Sequence, residues 1–357
     1  MPVAGYEAAS LYGYSTARVK AMESKMIRKE VMQSIISAKD IPNMLSILVQ
    51  TDYKKNLEEY GGVNIKSDMI DFALSKNLGN NVDKLITIAP IVNRGIVRAI
   101  AGKWDMYNIK LAIETKEKGA SFADISRYVI DYGTYNSATL KELMNEPNIE
   151  SMINRAMINS PYRKMLGAAL ETYRKEKSAL SAAVTIDKLY YEQMGSIIIR
   201  LIDMHHESAQ VIKADMDMRN LLMLIRAKRH EMKFADFSGT LIEKGSIKVN
   251  QLRELYEGAK DLESMIKEIK VFDLSEELVR YKANKRKELL IFEMGMKNSI
   301  FNKSIKLLKH SVLSIGTIIA YAYLKEIEVF TLRIIIKGKT YGLGREELAK
   351  MMVWKAE

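Results

Sequence analysis

Three segments spaced at an almost constant interval constrain this chain more than any other feature. DMYNIKLAIETK from Asp105, DMRNLLMLIRAK from Asp217 and EVFTLRIIIKGK from Glu328 align without gaps at separations of 112 and 111 residues. In each, an acid opens the segment and an apolar residue follows (Met106, Met218, Val329). A polar residue stands three after the acid (Asn108, Asn220, Thr331), and a lysine closes the segment (Lys116, Lys228, Lys339). Apolar positions recur at Ile109, Leu221 and Leu332 and at Ile113, Ile225 and Ile336, steps of three and four that place them on one face of a helix. The interval holds elsewhere. SFADIS from Ser121 and KFADFS from Lys233 lie 112 apart, DIPNML, NIESMI and DLESMI mark equivalent places around Met44, Met152 and Met265, and Tyr53 in TDYKKNL matches Tyr162 in SPYRKML. Solenoid repeats run about 20 to 50 residues, so a period over twice as long points to tandem units, each with its own small core. The expectation is an all-α fold of three similar helical units, residues 5–119, 120–231 and 232–343 with a helical tail 344–357, arranged pseudo-threefold into a ring or funnel with a central opening, an open helical stack being the alternative.

The period also resolves a local ambiguity. Ile334, Ile335 and Ile336 running into Gly338-Lys339-Thr340 resemble a strand delivering a phosphate-binding loop. Such a loop needs a glycine five positions before Gly338, where the backbone turns so that several N–H groups converge on one phosphate. That position is Arg333, and the residues between are bulky and unsuited to positive φ. The segment aligns with two helical copies, so it is expected to be a helix stopped by glycine.

The five prolines all precede residue 162, which leaves long helices as the natural tenants of the remaining 196 residues. The stretch from Ser178 to Met232 carries no turn signal and is expected to be helical without interruption. Twenty-two methionines interleave with Leu and Ile at helical spacing and are expected to fill the core. The absence of cysteine removes disulfides, thiolate metal sites and cysteine nucleophiles, and points to a cytosolic setting. No basic region followed by an apolar stretch opens the chain, so no signal peptide is expected. The longest apolar run, Ser311 to Leu324, has 14 residues, short of the roughly 20 that span a bilayer; membrane association is expected to be peripheral.

Candidate chemistry is sparse. Asp203, His205, His206 and Glu207 form the one dense group of metal-ligand types, but the equivalents of the histidines are Asn93 and Arg94 in the first copy and Gly316 and Thr317 in the third. They are expected to be solvated helix residues, with no metal, no cofactor and no catalytic residue assigned. Net charge is +11, and the excess is densest at Arg280, Lys282, Lys285, Arg286 and Lys287. That run suits an anionic lipid surface, a nucleic acid or a solvated face; only Tyr281 interrupts it, so base stacking has little support. A basic helical scaffold that binds nucleic acid or an acidic protein is the alternative which repeat and charge alone permit.

The opening YGYSTARVKAMESKMI, the three acid-x-x-polar helices and YAYLKEIEVFTLRIIIKGKTYGL near the C-terminus resemble the family of the C subunits of archaeal A-type ATP synthases. This family is similar to the C subunits of bacterial V-type ATPases and the d subunits of eukaryotic vacuolar ATPases. The resemblance runs from about Tyr6 to Leu343. It implies a non-catalytic, funnel-shaped, all-helical rotor component on the cytoplasmic face of the membrane. Such a protein sits on the proteolipid ring, holds the lower end of the central stalk (its D and F subunits), and couples ion transport to ATP synthesis or hydrolysis. Nucleic acid is not among its partners. Within that frame Lys116, Lys228 and Lys339, each at a helix end where the dipole favours a cation, are candidates for the stalk contact, and Arg280 to Lys287 for the ring or membrane side. The third copy departs mildly, with Glu328 and Thr331 in place of Asp and Asn, so a polar bond that pins the helix turn is enough.

Overall fold

A computed structural model describes residues 5–65, 67–284, 288–350 and 352. They form α-helices and short 3-10 turns, with no strand among the described residues. The chain packs as two compact units, one of Lys20–Met194, the other of the N-terminal segment through Val19 together with the chain from Gly195 onward.

The long helices are α1 (Gly5–Glu23), α2 (Ser67–Ile88), α3 (Ile91–Glu117), α4 (Ala179–Arg229), α5 (Leu290–His310) and α6 (Ile315–Thr340), followed by the short α7 (Arg345–Lys350). The three repeat segments fall on α3, α4 and α6, so the triple isoleucine is helical. Ile109, Ala112 and Ile113 of α3 are wholly buried, as are Leu221 and Ile225 of α4 and Leu332 of α6, which is the face the three-and-four spacing marked. On α6 burial extends around the helix: Ile315 to Lys325 lie in the interior without a break. The 14-residue apolar run is therefore mostly core helix, and no helix among the described residues is long and apolar enough to cross a membrane.

The three repeat helices end alike. The N–H of Ala120 donates to the Thr115 carbonyl (3.2 Å), that of Met232 to Ala227 (3.0 Å) and that of Leu343 to Gly338 (2.9 Å). Between each pair stands a residue of positive φ: Gly119 (70°), Glu231 (53°) and Gly342 (73°). This is the left-handed helix stop that closes orphan carbonyls, and it recurs in the register of the sequence repeat. Glycine bears that φ without strain, whereas a side chain costs about 1 kcal/mol or more. Glu231→Gly is therefore expected to raise stability by about 1 kcal/mol, seen as a higher urea midpoint at unchanged slope.

The short helices share caps as well. Side chains of Asp40, Asn148 and Asp261 accept the N–H of Asn43 (2.9 Å), Ser151 (2.9 Å) and Ser264 (2.7 Å), which is why an acid or amide opens DIPNML, NIESMI and DLESMI.

One expectation is corrected. The stretch from Ser178 to Met232 is not a single helix: His205 has φ −161° and ψ 81°, and breaks α4 in two. The break lies close to the repeat equivalents of Ala89–Pro90, between α2 and α3, and of the turn between α5 and α6. Proline marks the first break and serines the third; the second has no such residue, so the local pattern carries no warning of it. His205 is half-buried, with Nδ1 2.9 Å from Ser208 Oγ, rather than solvated on a helix face. Burial pulls its pKa below the ordinary imidazole value. His206 and Glu207 are exposed; the side chain of Asp203 lies outside what is described.

Candidate functional site

A step of three on a helix puts an acid and an amide side by side on one face, and that face determines what the repeat motif does. On α3, Asn108 Nδ2 donates to the carbonyls of Ile130 (2.7 Å) and Tyr135 (3.0 Å), while its Oδ1 accepts the Ile130 N–H (3.0 Å). On α4, Asn220 donates to the Ile242 carbonyl and accepts the Ile242 N–H, both at 2.8 Å. Asp105 accepts the Tyr135 N–H on one oxygen and the Tyr162 hydroxyl on the other, each at 2.9 Å. Asp217 accepts the N–H groups of Ser246 (2.8 Å) and Ile247 (3.1 Å). Ile242 and Ile247 stand 112 residues beyond Ile130 and Tyr135, so two copies latch the same downstream loop to the same helix face.

These loops need a glycine. Gly133 has φ 76°, and a Cβ there would meet the Asp105 carboxylate; a Cβ on Gly245 would meet that of Asp217. The two glycines are also 112 apart, a register signal present in the sequence but outside the motif positions that the repeat brought forward. The third copy uses its residues differently. Glu328 pairs with Lys325 at 2.7 Å, with side chains 0% and 2% exposed, and Thr331 Oγ1 donates back to the Ile327 carbonyl at 2.8 Å. A glutamate and a threonine serve there, each with a partner one turn away on the same helix.

Burial raises the Asp105 carboxyl from 3.8 to about 6, against the Tyr135 N–H and Tyr162 hydroxyl bonds that pull it down; burial raises Asp217 as well. The folded state thus favours the protonated form. The stabilisation this gives is full below the unfolded value of 3.8 and is lost as pH rises through about 6. Between pH 4 and 7 the wild type should lose about 2 kcal/mol relative to Asp105→Asn, measured by urea denaturation of both at each pH. Parallel profiles would show that the carboxyl titrates normally.

The closing lysines are half-buried. Lys116 Nζ donates to the Met144 carbonyl (2.9 Å); Lys228 Nζ donates to those of Tyr256 (2.9 Å) and Ala259 (2.6 Å) and lies 4.8 Å from the Tyr256 ring centre. Lys116 and Lys228 therefore tie the end of the repeat helix to the helix that follows the latched loop. Lys339 sits in the last turn of α6. The neighbouring Gly338 is packed against Leu348 of α7 and Leu343, so its missing side chain admits a leucine, not a phosphate.

In the basic run, Arg280 pairs with Glu276 (3.0 Å) and Lys282 with Glu263 (2.7 Å). Lys285, Arg286 and Lys287 lie outside the described residues. Among the described residues no three His, Cys, Asp or Glu are grouped to hold a metal.

The latches, caps and helix stops make a repeated scaffold, and comparison with known proteins shows whose. The model of the ATP synthase (C/AC39) subunit family matches residues 15–351. The A-type ATP synthase C subunit of Thermoplasma volcanium is 23% identical over 347 residues, covering 94% of this chain and 96% of the relative. That of Thermoplasma acidophilum is 23% identical over 355 residues, 96% and 98% of the two chains, and that of Methanocaldococcus jannaschii 23% over 345 residues, 96% and 86%. With a family match over nearly its whole length, this all-helical chain belongs to the ATP synthase (C/AC39) subunit family.

Proposed function

We propose that this ATP synthase subunit is the non-catalytic rotor piece that joins the proteolipid ring of the membrane sector to the D and F subunits of the central stalk, docked peripherally on the cytoplasmic face. The observation that carries this reading is the family match over residues 15–351, on a chain whose repeated acid and amide are spent on pinning backbone. Buried carboxylates already holding N–H groups are tension members of a scaffold that must transmit torque without shearing. Three similar units, residues 5–119, 120–231 and 232–343, set around a central opening, would grip an asymmetric stalk without matching its symmetry. The common helix stops at Gly119, Glu231 and Gly342 support that division. Stalk contact at the helix ends of Lys116, Lys228 and Lys339 belongs to the same reading; Lys116 and Lys228 would make it with donors left over from their carbonyl bonds. So does a ring-side contact by Arg280 to Lys287, weakened at Arg280 and Lys282 by their acid partners.

The test is purification of the tagged chain from its own cells. It should bring down a rotary ATPase, and it should sediment with membranes and leave them on salt or chelator washing without detergent. Recovery of nucleic acid or of an unrelated acidic protein in its place, with no ATPase component, would overturn the proposal.

A further inference from the structure

From Met294 to Lys325 the chain holds no Asp or Glu, the span that covers most of α5 and the start of α6. Within it Lys303, Lys306, Lys309 and His310 are all exposed. Their spacing puts them on one side of α5, since residues three and seven apart share a helix face. Lys303 Nζ lies 6.0 Å from the Phe272 ring centre; among the described residues Lys306, Lys309 and His310 have no acidic partner within ion-pair distance. The contrast with Arg280 and Lys282, both paired, singles this stripe out. It belongs to one copy alone: the equivalents of Lys303, Lys306 and Lys309 are Glu192, Gly195 and Ile198 in the second and Asn80, Asp83 and Ile86 in the first.

The stripe leads into an apolar tip. Val312, two residues past His310, is 58% exposed. The break of α4 lies against the same turn in this unit, because a Cβ on Gly316 would come within 3.0 Å of His205 Cε1 and closer still to Ser311. On α4, Ile199 (63% exposed) and Ile202 (38%), with the exposed Arg200, stand just before this break, and the exposed His206 and Glu207 just after it.

We propose that this edge, α5 from Lys303 to Val312 with Ile199 and Ile202 of α4, docks on an anionic lipid bilayer. Lysines are point charges suited to phosphate headgroups, and each near an anionic surface adds attraction that salt screens. Exposed β-branched side chains beyond the cations are what enters the boundary between headgroup and acyl chain. An acidic protein would engage the charges but leave Val312 and Ile199 without a role. The choice of bilayer rests on membership of a membrane-bound complex, and the test separates the two.

The purified full chain is sedimented with phosphatidylglycerol vesicles and with phosphatidylcholine vesicles at 50 and 300 mM salt. Binding should need phosphatidylglycerol, fall at least tenfold at the higher salt, and fall at least tenfold in K306E/K309E and several-fold in V312D. The charge-matched K54E/K55E in the other unit should bind like wild type, and circular dichroism should report unchanged helix in all variants. Equal binding to both lipids, no binding to phosphatidylglycerol at low salt, or undiminished binding by K306E/K309E overturns the proposal. None of these results bears on co-purification with a rotary ATPase, so the two readings fail independently.

Discussion

Asn108→Ala should cost about 4 kcal/mol, because three buried backbone groups lose their partners at once and each unsatisfied group costs about 1 to 3 kcal/mol. The side chain is 0% exposed, and Ile130 and Tyr135, whose backbone groups it holds, are buried as well. Asn108→Asp should be no milder, since a carboxylate oxygen would face two carbonyls where an NH2 donated. Asn220→Ala removes two bonds and should cost about 2 to 3 kcal/mol. Urea denaturation followed by circular dichroism checks all three. A loss below about 1 kcal/mol for Asn108→Ala would mean that the loop is held by its apolar contacts and the latch is incidental.

Lys325→Met should be as severe, about 3 to 5 kcal/mol, since it removes the cation from an ion pair buried in the interior. The informative variant is the double one. Taking two charges out of water costs most of what their attraction returns, so Lys325→Met with Glu328→Leu should regain at least half of the single loss. If the double variant is as unstable as the single, the pair is net stabilising and its apolar replacement repacks badly. Thermal unfolding of the two singles and the double forms the cycle that distinguishes these outcomes.

Both predictions act on residues that the repeat brought forward as a pattern without a mechanism. Acid and amide three apart at a fixed interval marked Asp105, Asn108, Asp217 and Asn220 from sequence, but their partners Ile130, Tyr135, Ile242 and Ile247 were invisible there. A backbone N–H carries no residue identity, so a side chain that bonds backbone leaves no complementary letter to find. Only the glycines that make room, Gly133 and Gly245, leave a trace. The closing lysines show the same limit: their places at helix ends were legible, their carbonyl partners were not.

The sequence by itself determined the helical class, the tandem copies, the faces that turn inward and the exclusion of a phosphate loop at Gly338. These follow from local periodicity and from a register that three copies must share. Tertiary structure alone decided that α4 breaks at His205, that Glu328 is neutralised by Lys325 within its own helix, and which cations stay unpaired. No residue at the break forbids a helix; His205 there packs close to Gly316 at the start of α6, a contact made across more than a hundred residues of chain. Whether a lysine is paired depends on which acids the fold brings within a few ångströms: Arg280 and Lys282 meet Glu276 and Glu263, while Lys306 and Lys309 face solvent on a span without acids.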